Sequence, residues 1–182
     1  MPHIPLDPTL PGISSLFAYS PVTAAPLGQL AEILLRGPST LTVGERELIG
    51  TVVSNGNGCR FCTGSHAAAA AETLDGGRAV VDAACTSVDD APVSDKLKAL
   101  LRIALAVRES GRAVTDELVA AARAEGATDE ELHTTVLIAA SFALFNRYVD
   151  GLATIAPQDQ AIYDQIGKRL AVEGYANIGA AR

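Results

Sequence analysis

The sequence predicts an all-α protein, and three observations lead to that prediction. Every long segment with a regular hydrophobic pattern repeats its apolar residues at the three- and four-residue spacing of a helix. No series of strands with alternating apolar and polar residues appears. Aromatic residues make up only 4% of the chain and tryptophan is absent, so small aliphatic side chains must form the core. We expect a single-domain, multi-helix bundle, because 182 residues would be cramped as two domains.

The N-terminus is rich in proline. Six of the nine prolines fall within the first 26 residues. Proline lacks a backbone N–H and restricts the residue before it, so this spacing opposes a long helix. We therefore predict a proline-rich extended arm over residues 1–26, which lies across the body or across a neighbouring subunit. An all-helical domain follows over residues 27–182.

The helices of that domain are bounded by capping and stop signals. Thr42 with Glu45, and Thr128 with Glu131, each fit a capping box, in which two residues satisfy each other's backbone N–H groups. The β-branched residues 51–53 could form a strand, but the run is too short and isolated to outweigh the cap before it. The predicted helices cover about residues 27–37, 43–55, 59–73, 78–85, 93–111, 115–126, 128–152 and 158–171.

Charge and hydropathy exclude several classes of protein. The net charge of −7 opposes nucleic-acid binding, because phosphates require a basic surface. The longest apolar run, residues 136–145, is about half of the roughly 20 residues that a membrane-spanning helix needs, so no membrane partner is expected. The N-terminus lacks the features of a secretory signal. We expect a cytoplasmic protein, in which a close cysteine pair is more often catalytic or metal-binding than a permanent disulfide.

The stretch NGNGCRFCTGSH, residues 55–66, gathers reactive side chains just after a break between two helices. Cys59, Cys62 and His66 lie at i, i+3 and i+7 and so share one helix face. Cys59 would lie in the first turn, where the helix dipole favours a thiolate. His66, one turn beyond Cys62, could hold or accept the proton of that thiol. Glu47, in the preceding helix, could fold back to pass protons or to orient His66.

Other interpretations of this stretch stay open from the residues alone. The pattern C-x2-C-x3-H supplies three zinc ligands, but the possible fourth ligands do not have the usual short spacing. A thioredoxin motif would need a βαβ setting, which the chain lacks. The cysteines could also be inert core residues. The possible fourth zinc ligands are Glu47, Cys85, His3 and His133.

The spacing Glu47-x11-Cys59-x2-Cys62-x3-His66 resembles the signature of the alkylhydroperoxidase D and carboxymuconolactone decarboxylase superfamily. The surrounding sequence, LTVGERELIGTVVSNGNGCRFCTGSH, is most similar to the peroxidase-related branch. The similarity continues through AEGATDEELHTTVLIAASFALFNRYVDGL, where the Asn-Arg pair at 146–147 matches a pair that recurs in that branch.

The resemblance implies an all-helical subunit of the alkylhydroperoxidase D-like type with peroxiredoxin activity, assembled into homotrimers or homohexamers. Cys62 would attack an organic hydroperoxide or hydrogen peroxide, and Cys59 would resolve the sulfenic acid into a disulfide. Glu47 and His66 would move protons. A lipoyl-bearing adaptor or a thioredoxin-like protein would supply the dithiol reductant. No cofactor or metal is predicted.

The position of His66, one turn beyond Cys62, and the family resemblance both favour Cys62 as the attacking thiol. A helix N-terminus can lower the pKa of Cys59 but delivers no proton to the leaving group. One residue departs from the family pattern, since characterised alkylhydroperoxidases carry a second histidine where this chain has Phe61. That difference predicts weaker or altered peroxidase activity.

Two alternatives to a peroxidase remain. The first is a zinc-binding or redox-sensing module without turnover. The second is a lactone enzyme like carboxymuconolactone decarboxylase, although the true decarboxylases lack the cysteine pair. For any of these functions we expect a homo-oligomer, because the alanine-rich residues 65–72 offer little bulk to enclose a site. The proline-rich arm should then lie at an interface, with the redox site nearby.

Overall fold

The computed structural model describes residues 1–175, and within this range the chain forms nine α-helices and no strand. The prediction of an all-α fold is therefore confirmed. None of these helices is both long enough and apolar enough to cross a bilayer. The elements are α1 (Ile13–Tyr19), α2 (Pro21–Arg36), α3 (Val43–Gly56), α4 (Arg60–Thr73), α5 (Gly77–Thr86), α6 (Asp95–Glu109), a 3₁₀ turn (Gly111–Ala113), α7 (Asp116–Ala124), α8 (Asp129–Gly151) and α9 (Gln160–Glu173).

Both predicted capping boxes are present. The Thr42 side chain accepts a hydrogen bond from the backbone of Glu45, whose carboxylate accepts from the backbone of Thr42. The same reciprocal pair at Thr128 and Glu131 opens α8, which has 23 residues and is the longest helix of the described range. Residues 51–53 lie inside α3, so the helical interpretation of this segment is confirmed.

Helix begins earlier at the N-terminus than the prolines predicted. We expected an extended arm up to residue 26, whereas α1 and most of the first half of α2 lie within that segment. Pro21 is the first residue of α2, a position where the missing N–H has no intrahelical partner to lose. Pro26 lies inside α2 and removes one backbone hydrogen bond, which the helix tolerates. Within the predicted arm, residues 1–12 and Ser20 are outside the helices.

Residues 1–12 lie across their own chain. The backbone N–H of His3 donates to the carbonyl of Leu152, and that of Gly12 donates to the carbonyl of Ile155. Leu6 packs against a buried cluster that includes both cysteines of the C-x-x-C motif. The N-terminal segment therefore covers the C-x-x-C motif of its own subunit. Its contribution to a subunit interface stays a prediction.

Helix α3 lies at the centre of the bundle and packs against α2, α4, α5, α6 and α8. Ten of its fourteen residues are buried. Gly50 lies directly against the ring of Phe142 on α8, and a methyl group at this position would overlap that ring. This close packing places Glu47, one turn before Gly50, in the interior of the protein, where it is 0% exposed.

Helices α4 and α9 pack closely through small residues. Gly64 lies against the ring of Tyr163, and Gly167 lies against Ala68. Four of the five alanines of α4, residues 67–70, are consequently buried within one subunit. The argument that this helix needs a second subunit to enclose its site is wrong, because α9 and the N-terminal segment enclose it. The assembly itself stays a prediction.

Candidate active site

The C-x-x-C motif lies at the start of α4, as its spacing predicted. Gly58 turns the chain with a φ of 71°, in the left-handed region that favours glycine. Cys59 is the N-cap residue of α4, and Cys62 lies in its first turn. Both cysteines are free thiols, and they are 0% and 4% exposed. The motif is thus a reduced and almost fully buried dithiol.

A chain of hydrogen bonds holds the helix break that precedes Cys59. Asn57 Nδ2 donates to Asn146 Oδ1 at 2.8 Å, and Asn146 Nδ2 donates to Ser54 Oγ at 3.0 Å. Asn146 is buried on α8, so it ties the break to a helix far along the chain. Arg147, its partner in the sequence pattern, is exposed and donates to the carbonyl of Ala143 in its own helix.

The Cys62 thiol changes the pKa of the Cys59 thiol. A hydrogen bond with Cys62 raises the pKa of Cys59, and burial and the charge of Cys62 raise it further. The helix-dipole argument for a thiolate at Cys59 therefore fails, because loss of solvent and the neighbouring sulfur outweigh the helix end. Cys59 therefore holds its proton more strongly than an ordinary thiol.

Glu47 reaches His66 across the helix break, as we expected from the sequence. Its Oε2 lies 2.8 Å from His66 Nδ1. Its Oε1 accepts a hydrogen bond from Tyr175 Oη at 2.6 Å and lies 2.7 Å from the guanidinium of Arg36. Burial raises the pKa of Glu47, but the hydrogen bond and charge of His66, the charge of Arg36 and the Tyr175 hydroxyl together lower it. Glu47 is therefore a buried carboxylate, and each of its two oxygens has a polar or charged partner.

Arg36 and Tyr175 were missed by the sequence analysis. Arg36 ends α2, and Tyr175 follows α9, 128 residues beyond Glu47. The guanidinium of Arg36 lies 5.0 Å from the centre of the Tyr175 ring. That ring stacks on His66 at 5.7 Å between centroids and 9° between planes. Burial and the charge of Glu47 raise the pKa of Tyr175, which keeps its hydroxyl protonated as a donor. No local motif signals these contacts, since each joins distant parts of the chain.

A cavity of about 60 Å³ adjoins the face of α4 that carries the motif. One wall consists of Cys62, Ser65 and His66. Most of the remaining lining is apolar and comes from α1, α2, α8 and α9, with Phe17 and Phe142 among its members. A buried water needs about 10–15 Å³, so the cavity has room for roughly four to six non-hydrogen atoms. It therefore suits a small, largely apolar molecule.

Phe61 closes the outer side of the motif. It is 5% exposed, and its ring packs at 6.3 Å from that of Tyr163. Gly12 of the N-terminal segment lies so close to the Phe61 ring that no side chain would fit there. Phe61 thus anchors the segment that covers the dithiol.

The other sequence candidates lie apart from the dithiol. Within residues 1–175, no three His, Cys, Asp or Glu side chains are close enough together to share a metal ion. Cys85 lies in α5, where burial first and then the charge of Asp82 raise its pKa to about 11. His133 is exposed on α8. The structure places Glu47 beside His66, whereas Cys85 and His133 lie away from that pair.

Comparison with known proteins agrees with the predicted resemblance. Residues 21–74 match the model of the carboxymuconolactone decarboxylase family. An alkylhydroperoxidase AhpD core structure, described as an uncharacterized peroxidase-related protein from Ralstonia eutropha JMP134, superposes with a TM-score of 0.77 at 24% identity. The match covers 87% of this chain and 82% of that one.

A second solved structure gives the same result. A peroxidase-related protein from Silicibacter sp. TM1040 superposes with a TM-score of 0.75 at 22% identity, over 85% of this chain and 78% of that one. No match is found among curated proteins. The predicted resemblance is confirmed by the family match, and the fold is of the alkylhydroperoxidase D-like type.

Proposed function

We propose that the protein is a thiol-dependent peroxidase, which reduces organic hydroperoxides or hydrogen peroxide through a Cys59–Cys62 disulfide cycle. The observation that carries this proposal is the 2.8 Å contact between Glu47 and His66, one helical turn from Cys62. The same part of the molecule contains the reduced dithiol, the oriented imidazole and the cavity. The peroxidase-related names of the two similar structures agree with this function.

In the proposed reaction, the Cys62 thiolate attacks the terminal oxygen of the hydroperoxide. An S–O bond forms, the O–O bond breaks, and the alkoxide takes up a proton and leaves as an alcohol. The sulfur is oxidised to a sulfenic acid, and Cys59 attacks it to form the disulfide with loss of water. A dithiol, carried by a lipoyl adaptor or a thioredoxin-like protein, reduces the disulfide by two exchange steps.

His66 and Glu47 have different roles in this proposal. His66 accepts the proton of Cys62 and returns it to the leaving oxygen. Glu47 is engaged by Arg36, Tyr175 and His66 at once, so it is best suited to remain ionised. It then holds the hydrogen on Nδ1 of His66 and orients the ring, as a buried carboxylate does in a catalytic triad. Arg36 and Tyr175 are positioning residues that act through Glu47.

We propose a homotrimer or homohexamer for the assembly. An apolar surface cleft of about 390 Å³ between α6, α7 and α8 supports this proposal, since apolar clefts of this kind often mark interaction sites. Val136 on its wall is 38% exposed and would be covered by a second subunit. Sedimentation equilibrium is the test, and a monomer at micromolar concentration would contradict the assembly.

The function is tested by following thiol oxidation of the reduced protein with tert-butyl hydroperoxide, then turnover with an external dithiol. We expect the wild type to lose both thiols of the motif and to turn over. Cys62→Ser should not react with the peroxide. Cys59→Ser should form a sulfenic acid that dimedone traps, without turnover. Cys85→Ser is the matched control and should behave as wild type.

Undiminished turnover in Cys62→Ser would refute the proposed nucleophile. Oxidation of the wild type without turnover by any dithiol would refute the peroxidase cycle and indicate a redox sensor. One zinc ion per subunit that survives dialysis, with both thiols blocked to alkylation, would instead indicate the zinc-binding alternative. These outcomes separate the functions that the sequence left open.

A further inference from the structure

Ser65 lies on α4 between Cys62 and His66, and its hydroxyl is unusual. The residue is 3% exposed and lines the cavity. Its Oγ has no hydrogen-bond partner among residues 1–175. Buried hydroxyls are nearly always paired, and a serine inside a helix commonly donates to the carbonyl four residues before it. A buried, unpaired hydroxyl on a cavity wall is a group prepared to bind a ligand.

The position of Ser65 suits the chemistry of the proposed peroxidase. Cys62, Ser65 and His66 occupy positions i, i+3 and i+4 and so form one wall on the same helix face. When the Cys62 sulfur attacks the terminal oxygen of a hydroperoxide, negative charge develops on the oxygen bonded to the alkyl group. A hydrogen-bond donor placed at that oxygen stabilises the transition state more than the ground state.

We infer that Ser65 is a further catalytic residue, whose Oγ–H donates to the leaving oxygen of a small alkyl hydroperoxide held in this cavity. The inference rests on the proposed function. The S–O bond forms as the O–O bond breaks, and the leaving alkoxide, held by Ser65, takes its proton from His66. The apolar lining, which includes Phe17 and Phe142, receives the alkyl group. The cavity of about 60 Å³ has room for roughly four to six non-hydrogen atoms, and tert-butyl hydroperoxide has six.

The test compares Ser65→Ala with wild type in two reactions of the reduced, full-length protein. The first is the rate of Cys62 oxidation by tert-butyl hydroperoxide in stopped flow. The second is the rate of Cys62 alkylation by iodoacetamide, which has no leaving oxygen. We expect Ser65→Ala to slow the peroxide reaction by roughly 100-fold, the lower end of the effect of losing one preorganised donor, and to leave alkylation unchanged.

Thr135→Val is the matched control. Thr135 on α8 is 0% exposed, and its hydroxyl is also unpaired within residues 1–175, but it does not line this cavity. Loss of that hydroxyl should change neither rate. Ser65→Ala should fold normally, because it removes an unpaired hydroxyl from a helix that already carries consecutive alanines. Circular dichroism melting checks both variants.

Three outcomes would overturn the inference. If Ser65→Ala reacts with the peroxide at the wild-type rate, Ser65 does not bind the leaving oxygen. If the variant loses peroxide reaction and alkylation in equal proportion, Ser65 acts on the thiol and not on the peroxide. If the wild type does not react with any hydroperoxide, the proposed function is refuted and the inference with it. The control reaction with iodoacetamide shows in that case that the Cys62 thiol was intact.

Discussion

Two buried glutamates in this protein have similar environments and different consequences. Glu47 in α3 is 0% exposed and Glu131 in α8 is 1% exposed. Burial raises the pKa of both carboxylates, and hydrogen bonds and nearby cations lower each pKa by more than burial raises it. Glu131 caps its own helix and binds Lys96 and Thr40. Glu47 instead contacts an imidazole beside the cavity.

The comparison shows that burial and a perturbed pKa do not by themselves identify a site. Glu131 binds a backbone N–H and the ammonium group of Lys96, whose side chain is 31% exposed, so its contacts stabilise the packing of α6 and α8. Glu47 binds His66, whose imidazole can accept or donate a proton and lies one turn from a thiol. The chemistry of the partner therefore distinguishes the functional carboxylate from the structural one.

Among the single variants outside the dithiol, Glu47→Gln should have the largest effect. The Arg36 side chain is 11% exposed and would lose its counter-charge, so we expect a loss of about 3–5 kcal/mol in the free energy of unfolding. Cys62 oxidation by peroxide should also fall by about 100-fold or more, because His66 loses the group that orients it. Glu131→Gln should cost about 1–3 kcal/mol and keep the oxidation rate. Urea unfolding and stopped-flow oxidation measure both.

A double variant, Arg36→Met with Glu47→Gln, sharpens this comparison. Removing both charges of a buried pair leaves no uncompensated ion, so part of the lost stability should return. The peroxide reaction should not return, since the carboxylate is still absent. Recovery of the wild-type oxidation rate in the double variant would mean that Glu47 contributes packing alone.

The stability difference between wild type and Glu47→Gln should depend on pH. The folded pKa of Glu47 lies below its ordinary value of 4.5, so its contribution is complete above that pH. The contribution is lost as the pH falls through the lower folded pKa. Urea unfolding of both proteins from pH 7 to about 3 should therefore show the difference shrinking below about 4.5. A difference that stays constant over this range would contradict an ionised Glu47.

Tyr175→Phe removes the hydroxyl that donates to Glu47 Oε1 and lies 3.1 Å from His66 Nδ1, and it keeps the ring that stacks on His66. We expect a loss of about 1–2 kcal/mol in the free energy of unfolding. The pKa of Glu47 should rise without this donor, so the acidic limb of the pH–rate profile of Cys62 oxidation should move to higher pH. Tyr163→Phe is the control, because the hydroxyl that it removes donates to the carbonyl of Pro157 and not to Glu47. An unmoved profile in Tyr175→Phe would show that Tyr175 does not act through Glu47.

The capping residues should give the smallest effects. Thr42→Ala and Thr128→Ala each remove one side-chain acceptor from the first turn of α3 or α8. Each should cost about 1 kcal/mol in the free energy of unfolding and leave peroxide oxidation unchanged. Thermal unfolding followed by circular dichroism is sufficient to compare them. A slower peroxide reaction in Thr42→Ala alone would indicate that the start of α3 sets the position of Glu47.

The sequence by itself determined the all-α class, most helix ends and the order of reactive residues on α4. These features depend on contacts within three or four residues, such as the capping box at Thr42 and the helical register of Cys62 and His66. The proline-rich N-terminus was the exception. Its helices extend into residues 13–26, because tertiary packing of α1 and α2 outweighs the local cost of Pro26.

Only the tertiary structure decided what surrounds those residues. Tyr175 reaches Glu47 across 128 residues of sequence, and no local pattern can predict a contact of that separation. The raised pKa of Cys59 and the unpaired hydroxyl of Ser65 likewise depend on the removal of water by packed helices. Desolvation is a property of the whole packed bundle. The sequence could therefore identify the dithiol and its histidine. The packing of the helices determined which groups stay charged, protonated or available to a ligand.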